Sequence, residues 1–156
     1  MTHNKWAVLA GLILLCLISG MLIGFTTAES IDSWYNVIAK PWWTPPNAVF
    51  GPAWTLLYIM MAVAAWLVWL TRDRTGPALV LFFVQLALNL MWSLLFFTAR
   101  SPGWALIEAV FLWSAVLATM VAFFNRSRLA GWLFVPYLAW VSFATVLNAA
   151  IWWMNR

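Results

Sequence analysis

Inside a long apolar segment an amide, a hydroxyl or a carboxylate is costly, so it marks a helix contact, a binding site or both. In this sequence such residues recur at helical spacing. Gln85, Asn89, Trp92 and Phe96 follow one another at four, three and four residues, with Ser93 on the edge of that face. Tyr137, Trp140, Ala144 and Asn148 recur at three, four and four, just after Pro136. Trp54, Tyr58, Met61 and Ala65 make a third stripe. Aromatic walls carrying a few directional polar groups are the lining expected of a site for a large, flat, mostly apolar ligand. The same stripes serve equally well as helix packing, with Asn and Gln as interhelical glue worth ~0.6 kcal/mol each on average.

Other chemistry has little to run on. Glu108 is the only carboxylate within an apolar segment, and a glutamate near a span's end is expected to reach the interface or pair with Arg100. The only histidine, His3, precedes the first apolar run, so a tetrapyrrole bound among the stripes would have no histidine axial ligand and would rest on stacking. Cys16 is the only cysteine, which excludes an internal disulfide and a thiol metal cluster and leaves a packed thiol. No Ser-His-Asp set, Gly-rich phosphate loop, metal-ligand cluster or carboxylate pair occurs. A formal charge of +4 would suggest nucleic acid in a soluble protein, but these basic residues stand singly or in pairs between apolar runs and read as topology signals.

The elements that position the stripes follow from composition. With 66% hydrophobic and 8% charged residues among 156, the chain is an integral membrane protein. The apolar runs are continuous rather than alternating, so they predict helices rather than a barrel. Five spans are expected in one domain, over residues 5–26, 48–70, 78–98, 103–124 and 129–153. The first exceeds the apolar core of a secretory leader and is expected to be retained. Its Gly20-x-x-x-Gly24 permits close helix approach, within the chain or between copies. Residues 27–47 form a long connection, with a short helix expected from Ser30 to Ala39. Lys40 to Tyr58 then carries four of the seven prolines and three of the fourteen tryptophans. Pro41, Pro45 and Pro46 make the first part of that stretch a shaped, non-helical cap.

Lys5, Arg72, Arg74, Arg126 and Arg128 fall on one side, against Lys40, Arg100 and Arg156 on the other, which puts the amino terminus in the cytoplasm and the cap outside. Trp54, Tyr58, Trp92, Ser93, Ala144 and Asn148 then share the outer half of the bundle. Asn89 and Trp140 lie ~15 to 20 Å below the outer ends. The expectation is an aromatic cavity under a lid.

Several blocks carry a resemblance: Trp34-Tyr35, Lys40-Pro-Trp-Trp-Thr-Pro-Pro46, Gly51-Pro-Ala-Trp54, Gln85-Leu-Ala-Leu-Asn89 with Trp92, Gly103-Trp-Ala-Leu106 with Glu108, and Pro136-Tyr-Leu-Ala-Trp140 through Asn148. Together they resemble the tryptophan-rich sensory protein and translocator protein family over nearly the whole chain. The resemblance implies five membrane helices, a homodimer, and a cavity for porphyrins (protoporphyrin IX, or haem) closed by the first connection, with sterols and synthetic ligands in animal members. By motif the pocket residues are Tyr35, Pro45, Trp54, Asn89, Trp92, Ser93, Trp140 and Ala144, to which the stripes add Tyr58 and Asn148. Some bacterial members are implied to degrade porphyrin in light, and Trp54 and Trp140 are then the catalytic counterparts. Two departures matter: Ala149 stands where the sterol motif of animal members needs a tyrosine and Trp153 where it needs a basic residue, while Leu90 replaces a polar residue of some members.

Three functions follow: a porphyrin-binding sensor that needs no further cofactor, a photo-oxidative enzyme acting on porphyrin as substrate, or a tetrapyrrole or lipid transporter. No paired broken helices or inverted repeat supports the last. Stacking aromatics suffice for binding, which favours the first.

Overall fold

The computed structural model describes residues 4–71 and 75–156. His3, and Arg72 and Arg74 on which part of the charge asymmetry rests, lie outside the described residues. Five long helices make up the described chain: α1 (Lys5–Ser30), α2 (Asn47–Leu70), α3 (Gly76–Ser93), α4 (Pro102–Phe124) and α5 (Arg128–Met154). All five are long and apolar enough to cross a bilayer. Their mutual contacts set the order α1, α2, α5, α4, α3 around the bundle, with α3 closing back on α1.

Local chemistry explains the helix starts. The Asn4 side chain accepts from the Trp6 amide and the Ser127 hydroxyl from the Ala130 amide, capping α1 and α5. Pro77 and Pro102 stand in the first turns of α3 and α4, where the missing donor costs nothing. The end of α3 widens into a π-helical turn over Leu94–Thr98, and Arg100 then takes φ +50° while the Ser101 amide returns to the Leu95 carbonyl at 3.0 Å. Arginine thus holds the left-handed place that glycine usually takes at a helix end, and the returning bond is one residue longer than in a Schellman motif, as the wider π-helical turn requires.

The first connection differs from expectation. Instead of ending at Thr26, α1 runs on through Ser30 and continues as a π-helical turn over Ile31–Tyr35, giving a 31-residue helical segment. No separate helix begins at Ser30. The reason lies in Thr26 to Tyr35, which is polar but holds neither glycine nor proline, and whose hydroxyls bond back along the helix: Thr27 to Ile23 and Ser33 to Glu29. At ~1.5 Å per residue the segment exceeds a ~30 Å hydrocarbon core, so its polar end stands clear of the apolar layer. The non-helical cap shrinks to residues 36–46, ending where Pro46 leads into α2.

Gly20 is where α1 and α2 meet. A Cβ there would lie 2.6 Å from the Tyr58 ring, so the glycine makes room for that ring inside the bundle. Gly24 has nothing within 4 Å. The close approach within this chain is therefore made by one glycine, not by a two-glycine seam.

Candidate functional site

The three stripes do meet, but at two levels with different chemistry. At the lower level is a chain of hydrogen bonds. Tyr58 donates to Asn89 Oδ1 at 2.8 Å, Asn89 Nδ2 donates to the Tyr137 hydroxyl at 3.2 Å, and Tyr137 donates to Gln85 Oε1 at 2.8 Å. Gln85 Nε2 then points at Met61 Sδ, 3.7 Å away. The ladder ties α2, α3 and α5 together, and Asn89, Gln85 and Tyr137 are almost fully buried. Each polar group sits opposite a complementary one, which is what allows so many of them in a membrane interior.

Above the ladder, toward the cap, the walls become aromatic. Trp54 meets Trp140 edge-on at 6.3 Å and lies 5.6 Å from Tyr58. Phe50 stands edge-on to Trp140 at 5.9 Å, and Trp92 stacks on Phe96 at 5.3 Å. Tyr35, delivered by the π-helical end of α1, packs edge-on against Phe96 and Phe97. Two hollows open here. The larger is lined by Tyr35, Trp92, Trp140, Ala144 and Asn148, together with Phe50, Phe96, Phe97, Phe143, Leu147 and Ile151. The smaller lies against Trp54, Trp92, Ala109, Leu112, Val141, Ala144 and Thr145. They meet at Trp92 and Ala144, and hold about 340 and 230 Å³ of empty space including their open mouths. Aromatic side chains fill most of the space between these walls, so a ring-sized ligand must push the walls or cap apart.

The polar equipment of these hollows is sparse. Trp92 Nε1 donates to Asn148 Oδ1 at 3.1 Å, and Asn148 Nδ2 donates to the Pro102 carbonyl at 2.8 Å, joining α3, α5 and the start of α4. Of the residues expected from sequence, Tyr35, Trp54, Trp92, Trp140, Ala144 and Asn148 line a hollow. Tyr58 and Asn89 belong to the ladder below it. Ser93 is buried beside the ladder, with its hydroxyl 3.4 Å from the Asn89 carbonyl, and Pro45 lies half-buried in the cap. Phe50, Phe97, Phe143, Leu147 and Ile151 were not among the expected lining. Continuing the α5 stripe beyond Asn148 by three residues would have found Ile151.

Glu108 departs from expectation. It is 7% exposed, and neither carboxylate oxygen has a hydrogen-bond partner among the described residues. Arg100 donates instead to the Ser33 hydroxyl at 3.3 Å. Glu108 turns inward on the α4 face that carries Ala105, Ala109 and Leu112, which takes its carboxylate away from the interface. No group of His, Cys, Asp and Glu able to hold a metal occurs among the described residues.

The cap is tied at both ends. Asn47 Nδ2 donates to Asn36 Oδ1 at 2.9 Å across its base, and Lys40 Nζ donates to the Tyr35 carbonyl and stands 4.8 Å over the Tyr35 ring. Trp43 reaches inward to meet Phe143 edge-on at 5.8 Å, whereas Trp42 is 96% exposed.

A five-helix membrane bundle whose first connection covers an aromatic site defines a class of small polytopic membrane proteins. The sequence matches the TspO/MBR family over residues 12–154, and the chain belongs to that family. It is 41% identical to the tryptophan-rich protein TspO of Archaeoglobus fulgidus over 146 residues, which cover 92% of this chain and 94% of the relative. It is 45% identical to the tryptophan-rich sensory protein of Cereibacter sphaeroides over 75% of this chain and 73% of that one. Identity to the human translocator protein is 44%, covering 86% of this chain and 89% of the human protein.

Proposed function

We propose that this protein is a receptor or sensor that binds a porphyrin, protoporphyrin IX or haem, in the aromatic space beneath the cap. The observation that carries the reading is the convergence of Trp54, Trp92 and Trp140 on two adjoining hollows, joined across helices by the Trp92–Asn148 hydrogen bond. Such walls suit a flat, extended π-system held by stacking, and they offer no histidine to an iron. The porphyrin is the ligand, and no other cofactor is needed. In the bilayer the protein works as a homodimer with its amino terminus cytoplasmic and its cap outside.

Titration of protoporphyrin IX into purified protein, followed by tryptophan quenching, tests the reading. Trp140→Ala is expected to weaken binding about tenfold, in line with the loss of one to two aromatic contacts. Unchanged affinity in both Trp54→Ala and Trp140→Ala would remove the pocket. Trp54 and Trp140, in edge contact at 6.3 Å, are the residues a photo-oxidative reaction would use, and illumination of the complex in oxygen decides between binding and turnover. An open-chain product formed faster than in free porphyrin would make the protein a photo-oxidative enzyme; bleaching at the free rate leaves it a binding protein. Porphyrin flux across proteoliposomes would favour a transporter.

A further inference from the structure

The side chain of Asn155, just past the end of α5, grips the cap by its main chain. The Ala39 amide donates to Asn155 Oδ1 at 3.0 Å, and Asn155 Nδ2 donates back to the Ala39 carbonyl at 2.9 Å. The other Nδ2 proton goes to the Ile151 carbonyl at 2.7 Å, which holds the amide plane in position. The two partners are 116 residues apart in sequence. Asparagine suits this place for a specific reason: one acceptor and two donors face one amide and two carbonyls. Aspartate would keep the shape but turn a carboxylate oxygen toward both carbonyls.

The grip lies on the element that lines the larger hollow. Ala144, Leu147, Asn148 and Ile151 face that hollow from α5, and Asn155 follows Ile151 by one turn. Ala39 adjoins Lys40, which is anchored to Tyr35, another residue of that lining. Both Asn155 and Ala39 are solvent-exposed, so water competes for these bonds and the grip is reversible. A hollow too tight for its ligand, under a cap held by a reversible clasp, needs the clasp to release.

We infer that Asn155 is the latch of the cap, and that its release sets how fast a flat apolar ligand enters and leaves the hollows; the second half rests on the binding proposed above. Hydrogen exchange over residues 36–46 tests the latch without any ligand. Asn155→Ala is expected to speed exchange there roughly five- to thirtyfold, the usual worth of two exposed hydrogen bonds, and Asn155→Asp at least as much. Exchange in the helix interiors stays as in the wild type. Unchanged exchange over 36–46 in both variants would overturn the latch. Stopped-flow mixing with protoporphyrin IX then reads the gating: association and dissociation rates are expected to rise by a common factor, leaving Kd within about twofold. Accelerated exchange with unaltered ligand rates would overturn the gating half and indicate passage between helices from the bilayer. Absence of binding by the wild-type protein would instead overturn the ligand reading, while the exchange result still decides the latch.

Discussion

Asn89 and Asn148 are the same residue type, both 1% exposed, and they serve two different halves of the bundle. Asn89 is locked between two tyrosines, with acceptor and donor both used on side chains from neighbouring helices. Asn148 uses its donor on the Pro102 carbonyl and its acceptor on a tryptophan that is itself a wall of the hollows. The half away from the cap is thus cross-linked and filled, with Phe82, Phe123 and Phe134 in its core. The half under the cap is aromatic, thinly bonded and incompletely filled. A membrane bundle that must stay assembled while admitting a bulky ligand has to divide its interior in this way, since one region cannot be both tightly packed and open.

The comparison breaks most directly at Gly20. A side chain at that position must displace the Tyr58 ring, which lies within 2.6 Å of the new Cβ and carries the first hydroxyl of the ladder. Gly20→Val is expected to lower stability by about 2 to 3 kcal/mol through overpacking and loss of the Tyr58–Asn89 bond, measured by unfolding in detergent. A loss under about 0.5 kcal/mol would mean that the ring can swing aside and that the lower half is looser than its contacts imply.

Next in size is Asn89→Leu. It leaves the Tyr58 hydroxyl without an acceptor, at an expected cost of about 1 to 2 kcal/mol in stability. Porphyrin affinity is expected to change by less than about threefold, because Asn89 lines neither hollow. Asn148→Leu reverses the pattern: stability falls by about 1 kcal/mol or less, while affinity shifts more than in Asn89→Leu because Trp92 loses its orienting partner. Equal effects of the two variants on binding would collapse the division between ladder and site.

That division was not legible in the sequence, although both asparagines were. Hydropathy displayed the five helices because backbone satisfaction in lipid leaves few alternatives. Helical periodicity grouped Trp54, Trp92, Trp140 and Ala144 on inward faces because a stripe at 3.6 residues has one direction to face. Whether an inward amide meets a tyrosine or a hollow depends on the rotation and depth of a neighbouring helix, which no single stripe contains. Thr26 to Tyr35 is helical against expectation for another reason. Its polarity suggested a loop, but helix formation outside the bilayer needs only the absence of breakers and a helix to continue.

Glu108 supplies the smallest expected effect and the sharpest test of the upper half. With no hydrogen-bond partner for either oxygen among the described residues, the carboxylate makes no bond there that a substitution can remove, and the penalty of holding it away from water falls on the folded state. Glu108→Gln keeps the shape and removes the carboxylate. Its expected effect on unfolding in detergent runs from neutral to about 1 kcal/mol stabilising. A destabilisation of 1 kcal/mol or more would show that the carboxylate holds a partner in the folded protein, and the upper half would then be cross-linked like the lower one. The expected outcome leaves a carboxylate that does nothing for the bundle's stability, one turn from where Leu112 lines the smaller hollow.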